Sequence, residues 1–380
     1  MEFLKVPTTI LVILSLSICS FGTTSMNSMH SSVGPNKGAY WPSWTTNFPP
    51  SAIDTTLFTH VYYAFLSPSN ITFKFEIDYP IALSLKNFTT TLHKKKPAVK
   101  TMLSIGGAAE GPKIFSRMAM SHESRKSFIL STIEVARKFE FDGLDLDWEF
   151  PQTPVDMVNL RRLLHEWRAA VKKEAKETCK PQILLSAATY YNPVVTLDDV
   201  YRKYPVTSIN KNLDWINAMC YDYRGSWDKT ATGAQAALYD PHSNISTSYG
   251  LQAWIKAKIH KDKLVMGLPL YGRTWQLKDP NVYGIGAPAV DVGPGIEGQM
   301  PYVDVEKFNI QNNAIVVFDI STVSTYSVAG TSWIGYDDVR STEMKVAYAR
   351  ELEIGGYFFW AVNGDHEWKI SRQASKTWTQ

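Results

Sequence analysis

Between Phe141 and Phe150 the chain reads Phe-Asp-Gly-Leu-Asp-Leu-Asp-Trp-Glu-Phe, so acids at 145, 147 and 149 alternate with Leu144, Leu146 and Trp148. Successive side chains of a β-strand point to opposite faces, which puts Asp145, Asp147 and Glu149 on one face and the apolar residues on the other. Like charges buried side by side cannot all ionise, and some of these carboxyls must hold protons at neutral pH. A carboxyl protonated at pH 7 is what general acid catalysis requires. Asp142 falls on the opposite parity, and a structural role is expected of it.

Composition limits what can surround this strand. With 380 residues, 44% hydrophobic and 20% charged, the chain has material for a large α/β domain. A formal charge of +3 is too small to imply nucleic acid. Aromatic residues make up 13%, including 12 Trp and 19 Tyr, enough to offer some to flat ligand faces such as sugar rings. The N-terminus has the form of a secretory signal over 1–22: Lys5, an apolar run from Ile10 to Cys19, and Ser20-Phe21-Gly22 as a cleavage site. That run is too short to span a bilayer and no second stretch reaches ~18 apolar residues, so an exported protein outside the membrane is expected. Sequons at Asn70, Asn87 and Asn244 fit that route. Once Cys19 is lost with the leader, Cys179 and Cys220 remain, at opposite ends of their strands, and two free thiols are expected. Neither they nor the eight His show metal-ligand spacing, and no metal or cofactor is expected.

Eight short β-like runs recur after a flexible leader over 23–36. They lie at 38–41, 60–65, 101–105, the acid strand, 183–188, 215–221, 264–268 and 356–360. Between them, segments such as 121–139 and 154–176 carry apolar residues at spacings of three and four, the mark of amphipathic helices. Strands alternating with helices predict parallel pairing and a (β/α)8 barrel over 37–275 and 332–380. Residues 276–331, with several Gly and Pro and short apolar runs, are too long for a bare loop and predict an inserted α+β subdomain before the last strand. The tail after Asp365, with Trp368, Ile370 and Trp378, predicts a short helix docked on the barrel.

Four motifs in order give the chain a family resemblance. Asp142-Gly143-Leu144-Asp145-Leu146-Asp147-Trp148-Glu149 matches D-G-x-D-x-D-W-E, and Ser104-Ile105-Gly106-Gly107, Met219-Cys220-Tyr221-Asp222 and Gly267-Leu268-Pro269-Leu270-Tyr271-Gly272-Arg273 accompany it. The chain resembles glycoside hydrolase family 18, and within it the plant class V chitinases, over nearly all of 38–365. The resemblance implies that Glu149 protonates a leaving sugar oxygen and later activates water. It implies that Asp147 holds the substrate's acetamido N–H and shares a proton with Asp145, and that the Tyr221 hydroxyl meets the acetamido oxygen beside Asp222. Trp360 would be the sugar floor, and Tyr40, Phe65, Gly107, Met219, Tyr271 and Arg273 would line the same pocket. Tyr63, Trp41, Tyr190, Tyr223, Trp227 and Trp275 are weaker candidates for neighbouring subsites, whereas Trp148 and Trp167 are assigned to packing. The family is a substrate-assisted exception to two-carboxylate retention. A monomeric endo-acting hydrolase of β-1,4-linked N-acetylglucosamine chains is therefore implied, with chitin or chitooligosaccharides as partner and no nucleic acid. A chitin-binding lectin on the same barrel, an endo-N-acetylglucosaminidase and a hydrolase of lipo-chitooligosaccharides remain open.

Overall fold

The computed structural model describes residues 34–380. The expected signal at 1–22, and the leader except for residues 34–36, lie outside the described residues. Eight strands form a closed barrel: β1 (Asn36–Pro42), β2 (His60–Leu66), β3 (Lys100–Gly106), β4 (Gly143–Asp147), β5 (Leu184–Tyr190), β6 (Trp215–Met219), β7 (Leu264–Pro269) and β8 (Gly356–Trp360). Each pairs in parallel with its neighbours in sequence, and β8 closes on β1 through Asn36–Gly356 to Ala39–Phe359. Asn36 therefore belongs to the barrel and not to the leader.

Helices cover the outside: α1 (Tyr79–Lys94), α2 (Pro112–Met120), α3 (His122–Lys138), α4 (Pro154–Thr178), α5 (Val206–Asn212) and α6 (Thr247–Lys256). The link from β1 to β2 has only a short turn of helix at Pro50–Ala52. α4 shows how the sequence sets its start. Thr153 caps the Asp156 N–H, the Asp156 side chain caps Thr153 in return, and Pro154 sits where its missing N–H costs nothing. Its stripe of Met157, Leu160, Leu163, Leu164, Trp167 and Val171 is buried against the barrel. The core thus has two layers. One lies between strands and helices; the other, inside the barrel, contains Tyr40, Tyr62, Met102, Trp215, Val265 and Phe358. Gly143 keeps the second layer closed, since a Cβ there would stand 2.4 Å from Met102.

Between β7 and β8 the chain builds a six-stranded sheet. The strands at 289–292, 271–277, 332–336, 324–329 and 315–319 lie in that order, and 299–301 pairs on 271–277. It carries α7 (Tyr302–Gln311) and its own core around Trp275, Tyr326 and Trp333. The sheet begins at Tyr271 and ends at Tyr336, wider than 276–331, because the Gly and Pro residues that suggested the bounds punctuate its loops and not its first and last strands. α8 (Val339–Glu351) leads back to β8, and α9 (Lys369–Thr379) docks on α8, with Asp365 accepting from the Ile370 and Ser371 N–H groups at its start. Among the described residues no helix is long and apolar enough to cross a membrane.

The two expected free thiols differ. Cys220 is free and buried, but Cys179 is disulfide-bonded; the expectation had counted only Cys220 as a partner for it. A buried ion pair anchors the exit of the inserted sheet. Lys345 on α8 bonds both oxygens of Asp337, at 2.5 and 2.6 Å, and the Ala236 carbonyl, with both side chains 1% exposed. Lys345→Met strands Asp337 in a dry site and is expected to lower unfolding stability by about 3–5 kcal/mol, whereas Lys345→Met with Asp337→Leu recovers most of it. Chemical denaturation of the three proteins measures this.

Candidate active site

β4 carries the acids as its parity predicts. Leu144 and Leu146 face the helices, and Asp145 and Asp147 point into the barrel, 0% and 4% exposed. Glu149 stands half-buried just past the strand end, at the mouth. At the opposite end Asp142 accepts from Lys100 Nζ and the Thr101 N–H, both at 2.9 Å. Although burial pushes its pKa up, those bonds and His93 hold it below the usual carboxylate value, as suits a structural clamp between β3 and β4.

The three inward acids sit in graded surroundings. Asp145 accepts hydroxyl protons from Tyr40 (2.9 Å), Ser104 (2.7 Å) and Ser186 (2.7 Å), which offset part of the burial that raises its pKa. Asp147 has no such help. Its Oδ1 is buried without a partner, and burial, then the charges of Glu149 and Asp145, push it well above the ordinary value. Burial followed by the Asp222 carboxylate raises Glu149 to about 7, with the Ala108 N–H pulling the other way.

The walls come from other strands of the barrel, the loops that follow them and the inserted sheet. The loop after β3 turns through Gly106 (φ +112) and Gly107 (φ +87), the latter donating its N–H to the Asp147 carbonyl at 2.9 Å. A Cβ on Gly107 would stand 2.5 Å from the Phe65 ring, so glycine here seats Phe65. Phe65 in turn stacks on Trp360 at 5.4 Å, and Tyr40 meets Trp360 edge-on at 5.7 Å. Beyond β6, Tyr221 is wedged against Tyr271 and Phe358. Burial, then Tyr271 and the nearby acids, push its pKa far up, so its hydroxyl keeps its proton. Asp222 is paired with Arg273 from the inserted sheet at 2.7 Å, and the guanidinium lies between the rings of Trp227 (5.2 Å) and Tyr271 (5.5 Å).

These residues enclose a cavity of about 330 Å³ lined by Tyr40, Phe65, Asp147, Glu149, Met219, Tyr221, Asp222, Arg273 and Trp360. A second, of about 450 Å³, shares Glu149, Met219, Tyr221 and Asp222 and runs on to Tyr190, Tyr191, Leu197, Trp227 and Ile245. Glu149 thus stands where two halves of one cleft meet. Gly107 and Tyr271, expected in the lining, line neither cavity: they lie against Phe65 and Tyr221, which do line the first. Trp44, 62% exposed, and Gln299 from the inserted sheet also line the first cavity. Neither they nor Tyr191, Leu197 and Ile245 were singled out in the sequence, since isolated loop residues carry no period or motif. Among the weaker candidates, Tyr190 and Trp227 face the second cavity, and Tyr223 lines it but is buried with its hydroxyl on Thr247. Trp41 and Tyr63 do not: they share the outward parity of β1 and β2, with Trp41 donating to the Phe48 carbonyl and Tyr63 bonded to Ser84 of α1. Trp275 is sealed in the core of the inserted sheet. Trp148 and Trp167 pack outside the barrel, as assigned.

A barrel-mouth cleft with aromatic walls and a carboxyl of raised pKa at its centre is the arrangement of a carbohydrate hydrolase. Residues 36–365 match the model of glycosyl hydrolases family 18, and the chain belongs to that family, as a glycoside hydrolase of the chitinase type. It is 51% identical to class V chitinase CHIT5a of Medicago truncatula, over 90% of this chain and 89% of that one. It is 49% identical to Nod factor hydrolase protein 1 of the same plant, with 90% and 89% covered. The class V chitinase of Nicotiana tobaccum, solved as a mutant in complex with NAG4, superposes with a TM-score of 0.86 at 39% identity, over 91% of this chain and 99% of that one.

A carboxyl that gives up a proton must first hold it, so with Glu149 in that role kcat/KM is expected to fall as pH rises through its pKa of about 7. In Arg273→Met the Asp222 charge is no longer neutralised and opposes ionisation of Glu149 more strongly. The midpoint of the alkaline limb should then move up by about one unit, measured as kcat/KM against pH.

Proposed function

We propose that the protein is an exported, monomeric, endo-acting hydrolase of β-1,4-linked N-acetylglucosamine chains that works by substrate-assisted retention. The observation that carries this reading is that Glu149, its pKa pushed up to about 7, shares the cleft with no carboxylate free to act as nucleophile. Asp222 is tied to Arg273, Asp145 is saturated by hydroxyls, and Asp147 is buried behind Glu149 on the same strand. The nucleophile then comes from the substrate.

With a sugar on Trp360, Glu149 gives its proton to the glycosidic oxygen as the C1–O bond breaks. The carbonyl oxygen of that sugar's acetamido group attacks C1 and forms an oxazolinium. Asp147, sharing its proton with Asp145, accepts the acetamido N–H, and the Tyr221 hydroxyl donates to the acetamido oxygen. Glu149, now a carboxylate, takes a proton from the water that opens the ring, so configuration is retained. Cavities on both sides of Glu149 support cleavage within a chain. Export is supported by the form of residues 1–22 and by the exposure of Asn70, Asn87 and Asn244. A lipo-chitooligosaccharide is the more specialised substrate: Phe150, Leu197 and Ile245 give the second cavity an apolar side, and the half-identical Medicago relative is named for Nod factor hydrolysis. Rates on plain and acylated chitin oligomers separate the two.

Glu149→Gln is expected to lower chitooligosaccharide cleavage by at least ~100-fold while oligomer binding persists, and fresh products of the parent enzyme should be the β-anomer by proton NMR. Binding without cleavage by the parent protein would instead make it a lectin, and initial α-anomer would rule out retention.

A further inference from the structure

Asn217 lies on β6 and faces the barrel interior with Trp215 and Met219, wholly buried. Its Nδ2–H donates to Tyr40 Oη at 2.9 Å. An amide nitrogen offers protons and no lone pair, so Tyr40 must be the acceptor in that bond. A phenol has one proton, and Tyr40 gives it to Asp145 Oδ2, also at 2.9 Å. Ser104 and Ser186 complete the donors on Asp145. A hydroxyl that accepts a hydrogen bond is polarised into a stronger donor. Asp147, in contrast, has a buried Oδ1 with no donor at all. Of two neighbouring acids in a dry barrel, the one without donors is the one that keeps a proton.

We infer that Asn217 is a positioning residue for the acid cluster: by filling the acceptor side of Tyr40 Oη it commits that hydroxyl to Asp145 and leaves the retained protons to Asp147 and Glu149. The assignment rests on the catalytic reading of these acids. The groups facing them are few. β1 and β2 contribute Tyr40 and Tyr62, β3 and β5 the uncharged hydroxyls of Ser104 and Ser186, β4 its own acids, the segment between β5 and α5 Tyr204, the segment after β6 Tyr221 and Asp222, the inserted sheet Tyr271 and Arg273, and β7 and β8 the apolar Val265, Phe358 and Trp360. Among the described residues Asn217 is the amide bonded to a hydroxyl donor of Asp145.

The test is kcat/KM against pH on N-acetylglucosamine tetramer for the parent, Asn217→Leu, Tyr40→Phe and the double variant. With leucine the Tyr40 hydroxyl loses its donor and is free to turn from Asp145, which then binds a proton more readily. The acid limb is expected to move up by about half to one pH unit, the size of one lost hydrogen bond, while the alkaline limb set by Glu149 stays in place. Tyr40→Phe should reproduce the shift, and the double variant should add little to it. An acid limb in Asn217→Leu that overlays the parent's, with only a uniform loss of rate, would overturn the assignment, as would full additivity with Tyr40→Phe. Asn217→Ala carries the same expectation if the leucine variant does not fold. A parent enzyme that fails to cleave the tetramer defeats the hydrolase reading instead.

Discussion

Three carboxyls in a row along one barrel strand and just past its end cannot all be crowded out of water and left charged, and the interior is arranged around that constraint. The solution differs at each depth. Asp145, deepest, receives three hydroxyl donors from β1, β3 and β5. Asp147, in between, receives none on its buried oxygen, and burial beside two other acids pushes its proton affinity well up. Glu149, at the mouth, is half-buried and reaches the intermediate affinity at which a carboxyl can both give and take a proton near neutral pH. Repeating one side-chain chemistry along a strand yields three different acids because the barrel changes around them.

The aromatic floor and the basic wall solve a second problem, keeping water and counter-charge where they are wanted. Phe65, Trp360 and Tyr40 form one packed edge that presents an apolar face to the cleft. On the other side, Asp222 raises the Glu149 affinity but is itself neutralised by Arg273, whose guanidinium is clamped between Trp227 and Tyr271. The acid is tuned by a pair reaching in from two structural units, Asp222 from the barrel and Arg273 from the inserted sheet.

Much of this was legible in the sequence because it follows from parity and period. The eight barrel strands, the inward acids, the separate fate of Asp142 and the inserted sheet came from alternation, helical spacing and loop length, and the resemblance assigned roles to residues on that frame. The same parity rule, carried through β1 and β2, would also have placed Trp41 and Tyr63 outside the barrel, since Tyr40 and Tyr62 face in. What the sequence concealed was set by loops and by contacts across the barrel: Trp44 and Gln299 at the cleft, the bounds of the inserted sheet, the bonding of Cys179, and the reach of Asn217 to Tyr40. Such contacts join residues far apart in the chain, and no local pattern encodes them.

Trp360 ends the last barrel strand, and that position bears on how the molecule is made. The chain leaves the barrel after β7, builds a whole antiparallel sheet, and only then supplies β8, which pairs with β7 on one side and with β1 on the other. Without β8 the strands β1 and β7 are bare edges, and the inserted sheet that precedes it is itself closed by a long-range pairing, Arg273 with Gly335. The floor of the cleft is laid in the same event that closes the barrel. A chain that stops short of β8 therefore holds all three acids but lacks Trp360, the residue that completes the aromatic edge of the cleft.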